Sequence, residues 1–257
     1  MPSTPLRGPV LDLALLFAAG LLAGAMNAMA GGGTFASFPA LLAVGLPPTV
    51  ANATSNTALL PGAMVSAWTY RHALQRFGPL SLRQLFAITM LGAIVGAVLL
   101  HLTTEATFRE ILPWLLLVAS LALSFAGPIR QRLERTDWEL GAGGAIGLQF
   151  VIGIYGGYFG GAVSLVMMAS WVLVTHLSVK ELAPVRTLLL VAANAAACAI
   201  FVIFGLISWL HVVPVAAGAV GGGWLGAHLG MRLPAAWVRG VVLAICYGVT
   251  AAFFWRG

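Results

Sequence analysis

The sequence predicts an all-α, polytopic transmembrane helical bundle built from two related halves, and three observations lead there. Hydrophobic residues make up 60% of the 257 and charged residues 8%, with a mean hydropathy of +0.99. An ordinary soluble domain carries about 25% charged residues, so this chain has too few to cover a water-soluble surface. Apolar elements then follow one another from end to end and leave no stretch for a soluble module, so residues 1–257 read as a single transmembrane domain. Finally, two elements too short to cross a bilayer both follow glycine clusters, and both stand second of five.

The elements run in order as 9–30, 34–46, 51–70, 81–102, 111–127, 139–158, 162–176, 183–206, 208–229 and 235–254. Most are near the ~20 residues that cross ~30 Å of hydrocarbon. The first contains the spaced pair Gly20/Gly24. Its stretch 11–25 before Ala28-Met29-Ala30 imitates a signal peptide, but only Arg7 supplies an n-region charge, and the glycines that follow have a counterpart later in the chain. The second element would rise only about 20–22 Å as a helix, as would the seventh. The third opens on the polar run Ala51-Asn52-Ala53-Thr54-Ser55-Asn56-Thr57, and the fourth carries Gly92/Gly96. The sixth carries Gly143/Gly147, the eighth opens with Pro184 and Arg186, and the ninth leads into Gly226/Gly230. Small residues four apart let membrane helices approach closely, and these pairs are read as packing.

The two short elements define an internal duplication, with repeat 1 over about 9–127, a cytoplasmic connection over about 128–138, and repeat 2 over about 139–254. Aligning Gly33 with Gly161 puts Gly32 on Gly160 and Asn27 on Tyr155, and a longer connection then brings Ala51 onto Ala183 and Ser55 onto Thr187. An odd number of elements per repeat inverts one half relative to the other. With Arg71, Arg76 and Arg83 in the cytoplasm, Arg130, Arg132, Arg135, Lys180, Arg186, Arg232 and Arg239 fall on the same side, ten of the 13 basic residues, as the positive-inside rule expects. Both termini are then external.

Candidate chemistry concentrates at the breaks. Unwound backbone in lipid is tolerated only where it lines a cavity or is buried in protein, and interrupted segments at matching places in two halves point to a transporter's binding site. Gly31, Gly32, Gly33, Thr34, Gly160 and Gly161 are therefore read as lining an anion site, with free amides at the starts of the short elements. Close packing is the alternative. Asn27 precedes the first cluster and Tyr155 the second. Asn52, Thr54, Ser55 and Asn56 are more polar groups than a cap requires and suggest a hydrogen-bonding lining, with capping and interhelical bonds as the competing reading. Arg186, with Thr187 and Asn194 following, either faces the site, where a guanidinium would fork onto an oxyanion, or snorkels to the interface.

Other chemistries find no support in the residues. The net charge of +6 sits in connections, without a basic aromatic stripe, and nucleic acid is not expected. Cys198 and Cys246 lie in apolar segments as small hydrophobes. His72, His101, His176, His211 and His228 have no metal-ligand spacing, no cofactor is expected, and no catalytic constellation is seen. Asp12 and Glu181, the nearest carboxylates to a span, stand at segment ends.

The segment Ala23 to Phe35 with Pro39 and Leu41, followed by Ala51-Asn-Ala-Thr-Ser, resembles the TauE/SafE family of sulfite and organosulfonate exporters. Gly153–Gly161 and Ala183–Thr187 resemble that family's second copy. The resemblance implies a multi-pass permease of the bacterial cytoplasmic (inner) membrane. It also implies export of small anions such as sulfite or sulfoacetate, with transport driven by the proton gradient. Arg186, Tyr155 and Tyr158 depart from the family's pattern. A homo-oligomer is compatible with this reading. The alternative is a non-transporting accessory or assembly subunit.

Overall fold

The computed structural model describes residues 8–74, 80–133, 140–160, 163–171, 174–175, 177, 179–232 and 235–256. They form α1 (Pro9–Met29), α2 (Thr34–Ala43), α3 (Pro48–Tyr70), α4 (Leu82–Leu102), α5 (Glu105–Leu133), α6 (Ala142–Phe159), α7 (Val163–Ser170), α8 (Val179–Ile203), α9 (Trp209–Arg232) and α10 (Ala235–Arg256), with one 3-10 turn at Arg71–Ala73. In hydrocarbon a helix pairs its own backbone groups, which is why most of so apolar a chain is helical. Among the described residues, five helices long and apolar enough to cross a membrane lie within α1, α4, α6, α8 and α9, and the chain is a multi-pass membrane protein.

Local chemistry sets several boundaries. Pro48 opens α3 three residues before the predicted start, because proline at a first helical position sacrifices no hydrogen bond. Ser81 and Gln84 close a capping box on α4. The α5 helix runs from Glu105 to Leu133, beyond the predicted 111–127 and into the predicted connection at 128–138; residues 134–139 lie outside the described residues. The α7 helix stops at Ser170, short of 176, whereas α8 begins at Val179 rather than 183. Arg186 therefore sits well inside α8, about two turns from its start.

The bundle is held by α1 packed on α9 and α4 packed on α6, with α3 against both α8 and α9, and α4 against α8. Glycines make the first two contacts possible. A Cβ on Gly218 or Gly222 would overlap the backbone carbonyls of Phe17 or Leu21, and one on Gly92 or Gly96 those of Phe150 or Ile154. Gly20, Gly24, Gly153 and Gly157 receive backbone from the opposite side. The prediction that Gly143/Gly147 pack is corrected here. Both are exposed, a Cβ on either would meet no atom within 4 Å, and Gly153/Gly157 hold the interface instead. Spacing alone cannot say which face of α6 meets α4. Gly143→Leu is accordingly expected to leave the thermal midpoint of the purified protein unchanged within about 0.5 kcal/mol.

The outer surface is apolar, with Trp68, Trp114, Trp209, Trp237 and Trp255 all exposed, as a lipid-facing surface with interfacial aromatics requires. The polar run of α3 points the other way: Asn52, Thr54, Ser55, Asn56 and Thr57 are all buried. This run lowers the hydropathy of α3, a helix of 23 residues.

Candidate functional site

The first break follows α1. Gly31 and Gly32 take φ of +99° and +81°, backbone that side chains adopt only with strain, and the chain re-enters a helix at Thr34. Asn27 stabilises this reversal, its Oδ1 accepting from the Gly33 amide at 2.7 Å. The amides of Phe35, Ala36 and Ser37 bond to the carbonyls of Gly32 and Gly33. These amides at the start of α2 are therefore occupied locally rather than free for a ligand, because the glycine turn itself supplies acceptors from the same stretch of chain. The second break follows α6, where Gly160 takes φ +67°. Gly161 lies outside the described residues.

Each break is met by the third helix of the other half. Arg186 on α8 is fully buried, and its Nη2 donates to the carbonyls of Asn27 (3.2 Å) and Ala28 (2.8 Å). These carbonyls belong to the end of α1, where the last turn's carbonyls lack intrahelical donors and the helix dipole favours a cation. Tyr70 at the end of α3 donates to the same Ala28 carbonyl at 3.4 Å. On the opposite side Asn52 Nδ2 donates to the Tyr158 carbonyl at 2.8 Å. One turn along α3, Asn56 lies against Gly160, whose Cβ would stand 2.9 Å from Asn56 Nδ2. The first break also touches α7, since a Cβ on Gly31 would lie 2.5 Å from Ser164 Cβ. Gly31→Ala combines that contact with positive φ. It is expected to cost about 1–3 kcal/mol, read as a lowered thermal midpoint.

What marks this region is unsatisfied polarity. Among the described residues, the buried side-chain atoms without a hydrogen-bond partner are Asn27 Nδ2, Thr34 Oγ1, Asn52 Oδ1, both amide atoms of Asn56, Thr57 Oγ1, Ser164 Oγ, Arg186 Nε and Nη1, and both amide atoms of Asn194. All belong to α1, α2, α3, α7 or α8. Buried polar groups are normally paired, each orphan costing about 1–3 kcal/mol. Arg186 is also the one charged residue in the buried set of the described chain, and a buried charge without a counter-ion costs several kcal/mol.

The remaining predicted residues are used by the fold. Thr54 Oγ1 accepts from the Ser208 amide at 3.0 Å and Ser55 bonds Ser37 at 2.6 Å. Thr187 donates back to the Ala183 carbonyl at 2.8 Å, and the Tyr155 hydroxyl donates to the Leu115 carbonyl on α5 at 2.9 Å. Thr57 and Ser164 join the orphaned set without having been singled out. Thr57 closes the polar run already noted, and Ser164 lies just after the second glycine cluster. Tyr70 carries no signal in the sequence. An open groove of about 580 Å³ lined by Met64, Val65, Trp68, Thr69, Arg71, Trp224 and His228 contains none of the orphaned groups and is not the candidate site.

Comparisons with known proteins agree with this membrane architecture. A family model described as sulfite exporter TauE/SafE matches residues 16–253. The chain is 30% identical over 244 residues to a probable membrane transporter protein of Haemophilus influenzae, covering 93% of both chains. It is 29% identical over 227 residues to the probable membrane transporter protein YfcA of Escherichia coli K12, covering 86% of this chain and 80% of that protein. It is 28% identical over 226 residues to the probable membrane transporter protein ORF9 of a Sinorhizobium species, covering 86% and 82%. No solved structure matches significantly.

Proposed function

This chain belongs to the TauE/SafE family of membrane transporters, and on that premise we propose that it is a secondary permease which exports a small oxyanion through a site between its two glycine breaks. The observation that carries the proposal is Arg186. It is a fully buried guanidinium with Nε and Nη1 unpartnered, joined through Nη2 to the end of α1. An oxyanion bound there would neutralise the charge and accept a charge-assisted hydrogen bond from one of the free guanidinium nitrogens. Asn27 Nδ2 and the hydroxyls of Thr34 and Ser164 supply further donors. Sulfite and sulfoacetate, the anions the family resemblance implies, carry oxygens that accept such bonds.

The full burial of Arg186 supports alternating access, in which a ligand there is released by one set of helices moving against another. Helix pairing supports inverted repeats as the moving parts. Exchanging each helix of α1–α5 for its counterpart in α6–α10 turns the α1–α9 contact into α6–α4, and α3–α9 into α8–α4. The glycine contacts follow the same exchange, with Gly218 and Gly222 on Phe17 and Leu21 answering Gly92 and Gly96 on Phe150 and Ile154. In this register Gly20 and Gly24 answer Gly153 and Gly157, and Asn27 stands opposite Gly160 rather than Tyr155. The helices α2 and α7, of 10 and 8 residues, become the half-helices of the two repeats. Proton coupling, implied by the family resemblance, belongs to the same proposal, and a homo-oligomer is compatible with it.

Purified protein in proteoliposomes is expected to carry sulfite or sulfoacetate down its gradient, with a rate that responds to an imposed pH difference. Fluxes equal to empty liposomes for both anions, with neither shifting the thermal midpoint, would overturn the proposal.

A further inference from the structure

The orphaned atoms of the candidate site include acceptors as well as donors, and a fully ionised oxyanion cannot satisfy acceptors. Asn52 has its Nδ2 committed to the Tyr158 carbonyl at 2.8 Å, which leaves Oδ1 as an unpartnered acceptor whatever the orientation of other amides. Asn56 and Asn194 leave both amide atoms unpartnered, so each presents an acceptor beside a donor. Asn52 and Asn56 are one turn apart on α3 and share a face, directed at the end of α6 where Tyr158 and Gly160 lie. The acceptors of Asn52 and Asn56 thus lie on the α6 side of the site. The guanidinium of Arg186 stands on the α1 side, and α3 packs on α8 between them.

From this polarity, and resting on the anion-permease reading above, we propose that the ligand is a small monoanion that carries its own O–H or N–H donors. Its acid group lies at Arg186 and its donor-bearing end faces Asn52 and Asn56. One such molecule satisfies both classes of orphan at once. A bare oxyanion satisfies only the donors, and a metal cation only the acceptors, leaving Asn56 Nδ2 and Asn194 Nδ2 unpaired.

The test compares anion pairs that differ by one hydroxyl: 2-hydroxyethanesulfonate against ethanesulfonate, and lactate against propionate. Binding is read by titration calorimetry and thermal shift on the full chain, in sodium and in choline buffer. The hydroxylated member of at least one pair is expected to bind about ten- to a hundred-fold more tightly, the discrimination expected when a buried acceptor is left unpaired by the analogue. In Asn56→Ala that preference should shrink to less than about three-fold while the acid group still binds. Equal affinities within both pairs in the wild type would overturn the donor requirement and leave the anion reading standing. Sodium-dependent stabilisation without any anion, lost in Asn56→Ala, would assign the acceptors to a cation and equally overturn it. Failure of all four anions, together with absent sulfite and sulfoacetate flux, would remove the underlying permease reading itself.

Discussion

Replacing Arg186 by glutamine is expected to reduce anion flux in proteoliposomes by about ten- to a hundred-fold, the loss of a charge-assisted hydrogen bond of roughly 1.5–3 kcal/mol. The same substitution should leave the folded protein intact. Arg186 is the one charged residue in the buried set of the described chain, and a neutral glutamine removes the cost of burying that charge. Opposite movements of flux and thermal midpoint are the signature of a residue held for function. Arg186→Lys should fall between, since an ammonium keeps the charge but lacks the planar set of donors that serves the α1 carbonyls and the ligand together. Unchanged flux in Arg186→Gln would end the assignment. Loss of the folded protein from the membrane would instead make Arg186 a structural cap on α1.

Gly222→Leu and Gly96→Leu are expected to have the largest effect on stability, each upwards of about 3 kcal/mol, because overpacking against a rigid backbone leaves nothing to repack. A Cβ on Gly222 overlaps the Leu21 carbonyl oxygen, and one on Gly96 overlaps that of Ile154. The two helix pairs they join, α1–α9 and α4–α6, are the main contacts of the bundle. Both variants should be strongly depleted among detergent-extracted, monodisperse protein, with Gly143→Leu as the matched control at a glycine four residues from its neighbour. Full recovery of either variant with an unchanged thermal midpoint would show that the helices separate readily, and would remove the packing account of these glycines.

The position and order of the helices were legible because they depend on local properties. Long apolar runs without charge mark spans, and two runs interrupted by glycine mark the short helices α2 and α7. Boundaries shifted where a single local rule acted, as at Pro48. Much of the candidate site was legible for the same reason, since Asn27, Thr34, Asn52, Asn56, Arg186 and Asn194 are polar groups where the chain is otherwise apolar.

Chain order and residue type alone determined that this protein lives in a bilayer, that it is helical, and that its polarity gathers at two breaks. The tertiary structure decided which polar groups remain unpaired. Thr54 and Thr57 belong to one run of α3, yet Thr54 is taken by the Ser208 amide while Thr57 Oγ1 has no partner. Gly143/Gly147 and Gly153/Gly157 share one spacing on α6, yet only the second pair meets another helix. Arg186 could have reached the interface, but α8 begins early enough to carry it to the end of α1. In each case the deciding partner comes from chain far away in sequence. Hydrogen bonding and close approach at one residue depend on what the rest of the fold brings to it.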